Sequence, residues 1–116
     1  MPKGVVIFHL KRLWEYPDGR VVDLYEEIKS GRKTSEYRDL TDYWTDRLYK
    51  VTKDKNNPDT DILKPKVKRA WFVFGYPKGN LPRLEADIKN IMFLIDENGF
   101  AEQLEIQFEN VIEVTE

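Results

Sequence analysis

Residues 84–114 read LEADIKNIMFLIDENGFAEQLEIQFENVIEV, and this stretch gives the 116-residue chain its β character. Its two arms, Leu84–Ile95 and Leu104–Val114, have the apolar content of strands. They flank Asp96-Glu97-Asn98-Gly99, in which Asn-Gly is a strong hairpin signal. We therefore predict a long antiparallel pair. The alternation of apolar and polar residues breaks at Asn110-Val111, which predicts an irregularity such as a β-bulge.

Three further strands are predicted upstream of this pair. They are the apolar runs Val5–Leu10 and Val67–Phe74, and the alternating stretch Lys33–Arg38. In the last of these, alternation places Thr34, Glu36 and Arg38 on one face and Lys33 on the other.

Two short helices are also predicted. Asp23–Ser30 has apolar residues at helical spacing, with Asp23 as the N-cap and Gly31 as a C-cap candidate, and Asp42–Tyr49 fits one or two helical turns. These elements describe a single α+β domain over residues 1–116, built as a small mixed β-barrel of about five or more strands with two or three short flanking helices.

Two segments look like insertions into this domain. Residues 14–22 contain Tyr-Pro-Asp-Gly, which is typical of a turn, and we predict an inserted loop there. Residues 53–63 are almost wholly polar, so we predict a mobile excursion, with Lys53–Asp61 as the most mobile internal segment.

Composition excludes several kinds of site. The chain has no cysteine and one histidine, so it has no disulfide and no zinc site of the usual kind, and we predict neither a metal nor a cofactor. No stretch is apolar enough to span a membrane, so we expect no membrane partner and a cytoplasmic protein.

The charges are unevenly distributed along the chain. Residues 1–83 carry 18 Lys and Arg against 12 Asp and Glu, whereas residues 84–116 carry 1 Lys and Arg against 9 Asp and Glu. A local basic cleft on an acidic protein is therefore possible.

The densest polar cluster is Ser30–Asp39, where a helix ends and a strand begins. One interpretation is an anion site in which backbone amides near Gly31 act with Lys33 and Arg38, while Glu36 aligns Arg38 or accepts from a base amino group. The alternative is an edge strand that is protected by its charges.

Aromatic and basic side chains elsewhere extend this hypothesis. Trp44, Trp71 and Tyr76 could stack on nucleobases or pack in the core, and Tyr76 lies in a loop beside Lys78. His9 and Lys11 lie on one side of the first strand by alternation, so both could face a cleft, although a lone histidine is usually structural.

Four motifs resemble an ASCH domain of phage or bacterial type, in the PUA-like superfamily, between about residues 5 and 79. They are FHLK at residues 8–11, IKSGRKTSEYR at residues 28–38, Tyr43-Trp44 with Arg47-Leu48, and Gly75-Tyr76-Pro77. The resemblance implies a PUA-like β-barrel that binds RNA or a nucleotide in a cleft at Gly31–Arg38. Together with the polar cluster, it gives a candidate binding set of Lys11, Gly31, Lys33, Glu36, Arg38, Tyr76 and Lys78.

Some ASCH relatives are amidohydrolases that act on acetylated cytidine through a lysine, a threonine and a glutamate, and others are linked to ribonuclease activity. The corresponding residues here would be Lys33, Thr34 and Glu36. This chain has Glu36 where that pattern has its threonine, so Thr34 would have to replace the nucleophile. We expect a binding module, with a nucleoside hydrolase or ribonuclease as the alternative and a protein-interaction domain as the third reading.

Overall fold

A computed structural model describes residues 3–75 and 82–115 of the chain. Within these ranges the protein forms nine strands and two helices. In chain order they are β1 (Val5–Leu10), β2 (Leu13–Glu15), β3 (Val21–Asp23), α1 (Leu24–Lys29), β4 (Ser35–Asp39), α2 (Asp42–Leu48), β5 (Tyr49–Lys53), β6 (Asp61–Pro65), β7 (Arg69–Phe74), β8 (Arg83–Ile95) and β9 (Ala101–Val114).

Five of the strands form one sheet in the order β1-β7-β8-β9-β4. β1 and β7 are parallel, and the other neighbours are antiparallel. The sheet curls into a half-barrel, so the predicted α+β fold with barrel-like curvature and short helices is confirmed. Because the half-barrel is open, β1 and β4 remain as its two edges.

The carboxyl-terminal hairpin forms as predicted, except that its second arm begins at Ala101 and not at Leu104. The pairing of β8 with β9 runs from Arg83 opposite Val114 to Ile95 opposite Ala101. The irregularity lies at Asn110, which has φ 56°, where β9 holds one residue more than β8. The turn closes with a 2.8 Å hydrogen bond from the Asp96 amide to the Phe100 carbonyl, and Gly99 takes the left-handed conformation with φ 85°.

Apolar side chains of the concave face form the core. The fully buried large side chains are Phe8, Ile28, Leu48, Phe72, Phe74, Leu84, Leu104 and Ile106. Phe72 stacks on Phe8 at 5.7 Å between ring centroids and contacts Phe108 at 4.8 Å, which joins β1, β7 and β9. Ile28 from α1 and Leu48 from α2 pack on the same cluster and hold both helices against the sheet.

Both helices begin at the caps that their sequences favour. The Asp23 side chain accepts from the Glu26 amide at the start of α1, and the Thr41 hydroxyl accepts from the Trp44 amide at the start of α2. Gly31 follows α1 with φ 83°, as a C-cap glycine should. None of the described helices is long and apolar enough to cross a membrane.

Three local predictions need correction. The strand predicted at Lys33–Arg38 begins only at Ser35, because the Lys33 amide donates to the Glu27 carbonyl at 2.8 Å and continues the turn that ends α1. The inserted loop at residues 14–22 is part of the hairpin β2–β3, and residues 53–63 belong to the hairpin β5–β6. Strand pairing reaches into both segments, while residues 16–20 and 54–60 form the connections between the paired strands.

Candidate functional site

Four of the sequence-predicted site residues, Lys11, Lys33, Glu36 and Arg38, line a cleft of about 570 Å³ between the two edges of the half-barrel. Edge strand β1 forms one wall, edge strand β4 forms another, and the hairpin β2–β3 and α1 complete the cleft. Its lining residues are His9, Leu10, Lys11, Trp14, Tyr16, Leu24, Lys33, Glu36, Tyr37, Arg38 and Gln103. This volume falls in the range of small-molecule sites.

Glu36 and Arg38 project from β4 to the same side, as alternation predicts. Arg38 Nη1 lies 2.7 Å from Glu36 Oε1, and only 8% of the Glu36 side chain and 20% of the Arg38 side chain are exposed. The guanidinium also lies 4.9 Å from the ring centroid of Phe8 and 5.2 Å from that of Trp44. Since Phe8 belongs to β1, Arg38 connects the two edges of the open barrel.

The second carboxylate oxygen of Glu36 is the most unusual atom of the cleft. Oε1 accepts from Arg38 and from the Tyr37 amide, whereas the buried Oε2 has no hydrogen-bond partner in residues 3–75 and 82–115. A buried acceptor without a donor costs roughly 1–3 kcal/mol, and more when it is charged. A ligand that donates a hydrogen bond to Oε2 would remove that cost.

Lysines on two sides make the cleft cationic. Lys33 reaches it from the loop before β4, with its Nζ 5.7 Å from the centroid of the Tyr37 ring. Lys11 lines it just beyond the end of β1, and His9 lies on the same side, as alternation predicted. Because Lys33 precedes the strand, it joins Glu36 and Arg38 although simple alternation put it on the opposite face.

Two predicted site residues lie elsewhere. Gly31 does not line the cleft, and its amide donates to the Ile28 carbonyl at 3.1 Å. The amides of Arg32 and Lys33 also have acceptors within the protein, so the expected anion site of backbone amides is not formed. Thr34 is exposed outside the cleft, because the chain turns from the helix cap into β4 at this residue.

The aromatic residues that were predicted to stack on a base or pack in the core have three different outcomes. Trp44 stacks on Phe8 at 5.5 Å and supports Arg38 from the core side. Trp71 does not line the cleft; it alternates with the buried residues of β7 and therefore lies on the opposite face of the sheet, under the guanidinium of Arg83 at 4.0 Å. Tyr76 and Lys78 lie outside the described residues.

Sequence reasoning missed two aromatic residues of the site. Trp14 and Tyr16 line the cleft from the hairpin β2–β3, with 51% and 37% of their surfaces exposed. Their spacing of two residues was the available signal, since it places both on one face of a strand. The Pro-Asp-Gly turn that follows them instead led us to expect an irregular loop.

Helix α1, whose first residue Leu24 lines the cleft, is held to β9 by polar contacts with Glu113. The Tyr25 hydroxyl donates to Glu113 Oε2, and Lys29 Nζ lies 2.9 Å from the same oxygen. These two contacts hold the pKa of Glu113 below its usual value, and the contact with Glu113 raises the pKa of Lys29. Burial, followed by the Glu113 contact, raises the pKa of Tyr25.

No metal centre accompanies the cleft in the part of the chain that the structure describes, since no three His, Asp or Glu side chains come together there as ligands. Comparison of the chain with models of protein families, with curated proteins and with solved structures gave no match. The resemblance to the ASCH family therefore rests on the motifs quoted above.

Proposed function

We propose that the protein binds RNA or a nucleotide in the cleft between β1 and β4. The observation that carries this proposal is that Glu36, held by Arg38 and with Oε2 unpartnered, lines one cleft together with Lys11 and Lys33. An ionised carboxylate only accepts hydrogen bonds, so its natural ligands are donors such as the exocyclic amino group of a base or a sugar hydroxyl.

The surroundings of Glu36 support a nucleotide over other donors. Lys11 and Lys33 line the same cleft and offer mobile positive charges for a phosphate. The exposed rings of Trp14 and Tyr16 offer surfaces on which a base can stack. Hydrogen-bond acceptor, cations and aromatic rings therefore correspond to the three chemical parts of a nucleotide.

The hydrolase alternative is less well supported. Lys33 and Glu36 share the cleft, but the hydroxyl that would attack the substrate belongs to Thr34, which does not line it. A nucleophile must lie within hydrogen-bond reach of its base and near the scissile bond. The placement of Thr34 favours binding without turnover.

The alternative in which β4 is only a solvated edge strand, protected by its charges, is also less well supported. Such a strand exposes its charged side chains to water. Glu36 is instead almost fully buried, and Arg38 packs against Phe8 and Trp44. This arrangement supports a binding site over a surface strand.

Titration calorimetry with cytidine, acetylcytidine and short single-stranded RNA tests the proposal, and chromatography of the same mixtures detects product. We expect saturable binding without turnover. Hydrolysis of acetylcytidine or cleavage of RNA would select the enzyme instead. Absence of both binding and turnover would contradict the proposal and favour the protein-interaction reading.

A further inference from the structure

We propose that the cleft is the first part of a longer groove over the hairpin β2–β3, and that its ligand is a single nucleic-acid strand of at least two nucleotides. This inference rests on the proposed function and specifies the class of ligand. The hairpin, which sequence reasoning treated as an inserted loop, would be the element that distinguishes a strand from a free nucleotide.

A second groove of about 350 Å³ adjoins the cleft. Tyr16, Leu24 and Lys33 line both spaces, so the two are immediate neighbours that share these side chains. Arg20 and Arg32 are among the residues that line only the second groove. Each volume lies within the range of a small-ligand site, so together they can hold more than one nucleotide unit.

Side chains on one face of the hairpin β2–β3 line both the cleft and the second groove. Trp14 pairs with Val22, and the Tyr16 amide donates to the Arg20 carbonyl at 2.8 Å, so these are facing pairs. Side chains of facing residues, and of residues two apart on a strand, lie on one side of the sheet. The hairpin therefore presents Trp14 and Tyr16 to the cleft and, on the same face, Arg20 and Val22 to the second groove.

The turn prearranges this face. Gly19 has φ 87°, and its amide donates to the Tyr16 carbonyl at 2.9 Å, which closes the Pro-Asp-Gly loop. Arg20 is thereby set opposite Tyr16, with its guanidinium carbon 4.5 Å from the ring centroid. A guanidinium held on an aromatic ring keeps its charge and loses part of its conformational freedom before any ligand arrives.

The combined groove is cationic on a chain with a formal charge of −2. Arg32 pairs with Glu27 at 3.2 Å and Arg38 pairs with Glu36, so the two carboxylates that line the groove are each bound to an arginine. In contrast, Lys11, Arg20 and Lys33 form no ion pair with any described residue. These three cations are distributed along both spaces.

Successive cations beside exposed aromatic rings form the arrangement that single-stranded nucleic acids require. The phosphates follow the cations while the bases stack on the rings, and binding needs no base pairing. A free nucleotide has one phosphate-bearing end and can fill only one of the two spaces. A ligand with additional nucleotides should therefore bind more tightly, because these can contact Arg20 and Arg32.

The experiment compares the four nucleoside 5′-monophosphates with the four homopolymeric hexaribonucleotides and their deoxy counterparts, by calorimetry at one salt concentration. The variants are Arg20→Ala and Arg32→Ala, with Lys55→Ala as the matched control. Lys55 is an exposed cation that lines neither space. The deoxy oligomers show whether a sugar hydroxyl is needed.

We expect a hexamer to bind at least about tenfold more tightly than any mononucleotide, and each arginine variant to lose about fivefold in affinity for the hexamer. Mononucleotide affinity should fall much less than hexamer affinity in both variants, and Lys55→Ala should match the parent protein. Equal affinity for monomer and hexamer, or hexamer binding that ignores both arginines, would overturn the strand inference but leave the proposed function standing. Failure of every nucleotide and oligomer to bind would overturn both.

Discussion

Glu36 and Arg38 form an ion pair of 2.7 Å between residues of one strand, and the same guanidinium contacts Phe8 on the opposite edge of the half-barrel. The pair thus links a carboxylate of the cleft to the seam between β1 and β4. Buried pairs of this kind fix orientation more than they add stability, because desolvation offsets much of the attraction. Its role in a binding site is therefore to hold the Glu36 carboxylate in one orientation beside the cleft.

Arg38→Lys should weaken ligand binding about tenfold, almost as much as Arg38→Ala. A lysine keeps the positive charge beside Glu36 but loses the planar fork and the contact with two aromatic rings. Arg38→Ala should in addition lower the melting temperature, because it leaves a buried carboxylate without its partner. Calorimetric titration together with thermal unfolding measures both effects, and unchanged affinity in Arg38→Ala would remove this residue from the site.

Glu36→Gln should weaken ligand binding while the domain stays folded. The amide has nearly the shape of the carboxylate, but it replaces one acceptor oxygen by a donor and removes the charge. The loss should be about tenfold, the magnitude of one hydrogen bond to a charged group. Circular dichroism verifies the fold. Full affinity in this variant would show that Oε2 does not receive a ligand hydrogen bond.

Trp14→Ala should reduce RNA affinity by roughly 1–3 kcal/mol, the usual contribution of one base stacked on an aromatic side chain. Because half of the indole is exposed, the free energy of unfolding should change little. Leu13→Ala is the matched control, since Leu13 is also more than half exposed but adjacent on the strand and therefore on the other face. An equal loss in both variants would indicate damage to the hairpin rather than loss of stacking.

RNA affinity should fall steeply as salt concentration rises, although the protein is acidic overall. Counterion release depends on the phosphates that local cations neutralise and not on net charge. Lys33→Ala should make the dependence of log K on log salt concentration less steep, by the contribution of about one phosphate contact. Lys55→Ala should leave the slope unchanged. A flat dependence in the parent protein would indicate recognition of the base or nucleoside without phosphate contacts.

Stability in acid should depend on Glu113. Its pKa is lower in the folded protein than in the unfolded chain, so the folded state binds fewer protons and gains stability above the unfolded pKa. This contribution is lost as pH falls through the lowered folded pKa. Urea unfolding between pH 7 and pH 2 should show a smaller acid loss for Glu113→Gln, starting from lower stability at pH 7. Parallel curves for the two proteins would contradict this assignment.

The tip of the hairpin β5–β6 should exchange its amide hydrogens much faster than the hairpin β8–β9. Lys53 and Asp61 form an ion pair at its base, but both side chains are more than half exposed, and such pairs contribute little. Residues 54–60 bury no apolar side chain. Hydrogen exchange followed by mass spectrometry measures this, and protection equal to that of β8–β9 would contradict the predicted mobility of Lys53–Asp61.

Local chemistry was enough to predict most of the elements. Hydrophobic periodicity located β1, β8, β9 and both helices, and capping residues such as Asp23 marked their ends, because these signals act over a few residues. The bulge at Asn110 was also visible, since a broken alternation needs no knowledge of distant partners. The same signals failed at the hairpins β2–β3 and β5–β6, whose strands are short, exposed and supported mainly by each other.

Part of the candidate site could be predicted from the sequence, because it too depends on a local pattern. Alternation placed Glu36 and Arg38 on one face, and that relationship is local. Other features arise from the curl of the sheet, which brings β1 to β4 and therefore joins residues far apart in the chain. This curl set Arg38 against Phe8, gathered Lys11 with Lys33, and gave Trp14 and Tyr16 a place in the cleft. Burial of one oxygen of Glu36 without a partner is a property of that assembled space, and no pattern along the sequence encodes it.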